Sequence, residues 1–132
     1  MRIAADTNVL LRAATKDDRR QSPIAAQLLR SAESVAVSIA ALCEFAWVTR
    51  QGFKMPGEAV ARSIRSLIDS QNVVTNRPAV EAGLVFLDNG GDFADGVIAF
   101  EGQWLGADEF VSFDKQAVML LKGQGKKARL LA

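Results

Sequence analysis

The sequence contains no histidine and no tyrosine. The first absence excludes zinc sites built on imidazole, Ser-His-Asp triads and histidine general bases. The second excludes a tyrosine nucleophile. The single cysteine, Cys43, can form neither an internal disulfide nor a thiolate metal cage, which fits a reducing compartment. No apolar run approaches the roughly 20 residues of a membrane helix, and no short apolar stretch follows a basic N-terminus. A cytoplasmic protein without a secretory leader is expected. Neither the glycine-rich phosphate loop nor the dinucleotide-binding glycine fingerprint occurs. Acid–base and metal chemistry must therefore come mainly from carboxylates.

The 132 residues, 49% hydrophobic and 23% charged, are average for one globular domain, expected over 1–132. A net charge of +1 conceals an asymmetry. Residues 2–77 hold eleven basic and seven acidic side chains; residues 78–114 hold eight acids and no base; residues 115–132 hold five bases and no acid. A near-neutral whole is poor evidence for nucleic-acid binding, but an acidic segment between basic ones is what a metal site acting on a polyanion would look like.

Short β-prone runs alternate with helical patterns. Arg2 to Ala5 reads as a strand running into the polar stop Asp6-Thr7-Asn8, with a short helix through Val9 to Ala14 and a loop from Thr15 to Gln21. Ser22 as N-cap and Pro23 at the first helical position open a helix through Leu29. Val35 to Val37 is a second strand, ended by Ser38. Ile39, Leu42, Cys43, Ala46 and Trp47 form a helical stripe. Pro56 opens a helix facing inward through Val60, Ile64, Leu67 and Ile68. Val73 to Thr75 is a third strand, followed by a helix over Ala79 to Leu87 that Asn89-Gly90-Gly91 closes. Asp92 starts a helix reaching Trp104. Glu109 to Phe113 and Lys115 to Leu121 read as strand and helix, and Ala128 to Leu131 as a fifth strand or a tail. The alternation predicts an α/β fold with a parallel sheet covered on both faces.

Four carboxylates stand out. Between Val35 and Val48 only Ser38 and Glu44 are polar, so the pattern predicts a helix buried nearly all round that carries one acid. An unpaired buried carboxylate costs several kcal/mol, so Glu44 has an arginine partner, a marginal surface position, or a metal or catalytic role. Asp6 and Asp114 each follow a strand, at the carboxyl edge where ligand crevices of open parallel sheets lie; each also suits a helix N-cap. Asp92 and Asp95 together resemble an acidic capping box, which accounts for Asp92 better than for Asp95. A parallel sheet would bring Asp6, Glu44, Asp95 and Asp114 to one edge, where four like charges repel unless a cation sits among them. Oxygen-only ligands select Mg²⁺ or Mn²⁺. Trp47 and Trp104 could stack bases, although their spacing suits a core. Arg12, Arg19, Arg20, Arg50, Lys54, Arg62, Arg65 and the Lys122–Arg129 tail are candidate contacts for a polyanion or simply a solvated charged face.

DTNVLL at 6–11, Ser38 six residues before Glu44, DFADGVIAF at 92–100 and SFD at 112–114 stand in the order and spacing of PIN domains. The chain most resembles the VapC toxins of bacterial toxin–antitoxin pairs. That resemblance implies a three-layer α/β/α fold with a five-stranded parallel sheet, and an endoribonuclease dependent on Mg²⁺ or Mn²⁺. It maps the acidic quartet onto Asp6, Glu44, Asp95 and Asp114, with Thr7, Asn8 and Ser112 as supporting polar groups. Asp6, Asp95 and Asp114 would hold the metal and Glu44 would orient the attacking water. Gly96 stands where alanine is commoner, which would loosen the helix start. An RNA substrate, a cognate antitoxin presenting an arginine to the acids, and a homodimer are the implied partners. Two other readings remain: a metal-dependent phosphohydrolase of small phosphate esters, and a catalytically silent PIN-like binding module.

Overall fold

The computed structural model describes residues 1–132, which form two compact units, Met1–Arg77 and Pro78–Ala132. The first contains β1 (Arg2–Ala4), α1 (Thr7–Thr15), α2 (Gln21–Ser31), β2 (Ser34–Ala36), α3 (Ile39–Gln51), α4 (Gly57–Ile68) and β3 (Val73–Val74). Its strands pair in the order β1-β2-β3, all parallel, with Ile3 opposite Val35 and Val35 opposite Val73. Parallel neighbours need long crossovers, and the helix pairs α1–α2 and α3–α4 supply them. Val35, Leu42, Val60 and Ile64 are fully buried.

The second unit contains α5 (Arg77–Asp88, its first residue shared with the first unit), α6 (Phe93–Trp104), β4 (Phe110–Ser112), α7 (Lys115–Gly123) and β5 (Ala128–Leu130). β4 and β5 are parallel, with Val111 opposite Arg129. Phe86, Ala117, Val118, Leu121 and Ala128 form a core cluster against which Phe110 and Leu120 pack.

The α/β class and parallel pairing agree with the alternating pattern. The expected five-stranded sheet is not one ladder but a three-stranded and a two-stranded one. No strand exceeds three residues. Polar capping residues soon after β1, β2 and β4 turn the chain into helix, so little edge is left to pair.

Two further expectations are corrected. Ser22 is not an N-cap: it is buried inside α2, and its hydroxyl accepts from Asp18 N at 3.3 Å. Asp18 Oδ1 instead accepts from Arg20 N and Gln21 N at 2.9 and 2.7 Å, so the helix begins before the proline. The buried face of α3 is also rotated, running through Ala41, Leu42, Phe45, Ala46 and Thr49. In a segment this apolar, two neighbouring stripes fit the helical period equally well. Buried Thr49 is satisfied within the helix, donating to Phe45 O at 2.8 Å.

Candidate functional site

In the first unit the site is built where β1 and β2 hand over to helices. Ala5 N still donates to Ala36 O at 3.1 Å, so ladder-type bonding continues one residue beyond β1. Asp6 remains extended, with φ −83° and ψ 174°, and its Oδ1 accepts from Val9 N at 3.0 Å. This caps α1 and aligns the acid with the helix dipole. Ser38 does the same for α3, its Oγ accepting from Ala41 N at 3.1 Å. Because β1 and β2 are adjacent and parallel, α1 and α3 start at one edge and pack on each other. The Thr7 hydroxyl then reaches Glu44, donating to Oε1 at 2.5 Å. Asn8 is exposed in the same first turn.

Glu44 is thus not the buried acid that its apolar neighbours suggested. It is exposed, as is Trp47 one turn later, and neither Trp47 nor Trp104 belongs to the core: they are 62% and 83% exposed. Of the readings open for Glu44, the arginine pair is not formed. Its partner is the Thr7 hydroxyl.

In the second unit three acids gather around the start of α6. Asp92 Oδ1 accepts from Ala94 N at 3.3 Å and caps the helix. Asp95, in the first turn, is half-buried and does not complete a capping box. Its carboxyl is raised above the ordinary aspartate value, first by burial and then by the charges of Asp92 and Asp114. Asp114 caps α7 through Ala117 N at 3.2 Å, and Ser112 Oγ accepts from Asp114 N at 2.9 Å, which fixes the turn leaving β4. Asp6, Asp92 and Asp114 are therefore helix caps, as local sequence allowed, while Asp95 is held close to other acids without that duty.

Gly96 does not loosen the start of α6. A Cβ there would run into the Ala82 carbonyl and lie 3.0 Å from Gly83 Cα, and one on Gly83 would meet the Phe93 ring at 2.6 Å. The two glycines let α5 and α6 cross backbone to backbone, which seats Asp95. Gly83 and Phe93 were missed as site-building residues, because only the crossing reveals that Gly83 must lack a side chain.

Carboxylate oxygens suit a hard cation. Asp6 in the first unit and Asp114 in the second each commit one oxygen to a cap, and within the second unit the nearness of Asp95 to Asp92 and Asp114 favours a positive charge. Within neither unit, however, do three carboxylates converge closely enough to hold a metal ion by themselves. Among the basic candidates Arg12 is engaged internally, with Asp17 Oδ2 at 3.0 Å and Gln21 Oε1 at 2.8 Å. Arg129 pairs with Glu109 at 3.1 Å. No helix is long and apolar enough to cross a membrane. The family model described as PIN domain matches residues 3–119. No curated protein matches the chain.

Proposed function

Because the chain belongs to the PIN domain family, whose members are generally metal-dependent nucleases, we propose that it is an endoribonuclease using Mg²⁺ or Mn²⁺. We further assign it as a VapC-type toxin, acting in the cytoplasm as a homodimer and restrained by a cognate antitoxin. The observation that carries the nuclease reading is the PIN domain match over residues 3–119; the half-burial of Asp95 beside Asp92 and Asp114, which a cation would relieve, supports the metal dependence.

Asp6, Asp95 and Asp114 are the proposed ligands. Each offers hard carboxylate oxygens, and the caps on Asp6 and Asp114 hold those side chains in one orientation. Glu44 would orient the attacking water and accept its proton, with the Thr7 hydroxyl restraining the carboxylate through Oε1. The divalent ion would lower the pKa of water and offset the charge that develops on the scissile phosphate. With no histidine available, carboxylates are the side chains suited to proton transfer at neutral pH.

The decisive experiment incubates the purified protein with single-stranded RNA and, separately, with p-nitrophenyl phosphate, each with Mg²⁺, with Mn²⁺ and with EDTA. Cleavage of RNA that stops in EDTA supports the proposal. Robust cleavage in EDTA would sink the metal mechanism. Turnover of the phosphomonoester without RNA cleavage would replace the nuclease by a small-ester phosphohydrolase.

A further inference from the structure

We propose that the surface running from Trp47 to Lys54 is a stacking platform for single-stranded RNA, with Trp47 holding an unpaired base one helical turn from Glu44. The inference rests on the ribonuclease reading and adds to it how substrate is gripped.

Residues three apart on a helix share a face, and Glu44 and Trp47 are both exposed on α3. A tryptophan 62% exposed is costly to leave in water without a partner. Arg50 follows three residues later, also exposed, and the chain then leaves the helix through exposed Phe53 and Lys54. From 47 to 54 there are two aromatic rings, two cations and no acid. Aromatic faces interleaved with positive charge are the requirement for binding single-stranded nucleic acid, since every base has a π-face and every phosphate a negative charge.

The segment is held in one shape. Phe53 N donates to Val48 O at 3.2 Å, Met55 N donates to Thr49 O at 3.0 Å, and Arg50 Nη1 donates to Met55 O at 3.4 Å. Lys54 adopts the left-handed conformation, φ 56°, that lets the chain fold back on the end of α3. The cations are therefore presented by a folded hook instead of a loose tail. The surroundings favour RNA over a second protein copy: the platform is flanked by exposed Glu44 and ends in exposed Lys54, and glutamate and lysine are depleted from protein interfaces, although tryptophan and arginine are enriched there.

The chain has no tyrosine and two tryptophans, so Trp104→Phe leaves Trp47 as the dominant emitter. That variant, titrated in EDTA with a twelve-residue oligouridylate, should show saturable quenching that weakens as salt is raised. Inorganic polyphosphate of equal charge should bind without comparable quenching. Trp47→Ala should bind the labelled oligonucleotide roughly tenfold more weakly, and Trp47→Phe should retain most of the affinity. Arg50→Ala with Lys54→Ala should flatten the salt dependence by about 0.7 per lost contact. Unchanged Trp47 emission on addition of RNA overturns the platform. So does a blue shift that follows protein concentration and not RNA, because Trp47 would then face a second copy. RNA cleavage with no Trp47 response leaves the nuclease standing without this platform; Trp47 quenching with no cleavage under any metal leaves the platform and removes the nuclease.

Discussion

Thr7 Oγ1 stands 2.5 Å from Glu44 Oε1, joining the first turn of α1 to the middle of α3 across 37 residues of sequence. The bond restrains an exposed acid that would otherwise sample several rotamers. Thr7→Val keeps the shape of the side chain and removes the donor. A hydrogen bond to a charged group contributes about 1.5–3 kcal/mol, so kcat should fall at least about tenfold with little change in KM. Thr7→Ser should restore activity. An unchanged kcat in Thr7→Val would mean that Glu44 is positioned by something else.

Asp95 should make the protein less stable as pH rises. The folded chain keeps this proton to higher pH than the unfolded one. The penalty on the ionised carboxylate is therefore absent below the ordinary aspartate value of 3.8, grows above it and is complete beyond the folded-state value. Asp95→Asn removes the charge and keeps the shape, so at neutral pH in EDTA its melting temperature should equal or exceed that of wild type. RNA cleavage should be lost. A variant that is destabilised yet still cleaves RNA would reduce Asp95 to a structural residue.

Mg²⁺ at about ten times its dissociation constant should stabilise wild type by roughly 1.4 kcal/mol, or about 3–6 °C in melting temperature for a chain of this size. Asp6→Ala and Asp95→Asn should lose most of that response, and expression of Asp6→Ala should relieve any growth arrest caused by wild type. Scanning calorimetry with and without Mg²⁺ measures the first effect. Equal metal responses in all three proteins would remove Asp6 and Asp95 from the ligand set.

Gly96→Ala sets two effects against each other. Alanine favours a helix by about 1 kcal/mol over glycine, but here its methyl would run into the Ala82 carbonyl. Backbone gives way less easily than a side-chain tip, and overpacking costs about 1–3 kcal/mol. Net destabilisation and reduced cleavage are expected, because the start of α6 and Asp95 must shift together. A denaturant midpoint at or above that of wild type would show that the α5–α6 crossing opens without penalty.

A homodimer is expected from exposed apolar side chains such as Trp104, Leu105 and Phe113, which are 83%, 83% and 75% exposed. Light scattering at tens of micromolar checks it, and a strictly monomeric mass rejects it. The antitoxin should present an arginine, whose guanidinium grips carboxylates and replaces the charge of the cation. Its affinity should fall as Mg²⁺ is raised, and a Mg²⁺-independent affinity would exclude that mode of inhibition.

The sequence by itself determined the local elements. Asp6, Asp92 and Asp114 cap helices where their position after or between apolar runs indicated, whereas Ser38, read only as the end of a strand, caps α3 and Ser22, read as a cap, does not. These interactions span two or three residues, and the rise and period of each element follow from neighbours along the chain. Tertiary structure decided what periodicity cannot: which face of an almost wholly apolar helix is covered. For α3 both stripes were apolar, and only packing from distant segments buried Phe45 and left Glu44 and Trp47 in water. The same holds for Gly83 and Gly96, whose need to lack a side chain exists only where two helices cross. It holds too for the strands, which pair as three and two because pairing depends on partners far along the chain. A residue's own neighbours set its conformation, but its exposure and its charge environment are set by chain that lies tens of residues away.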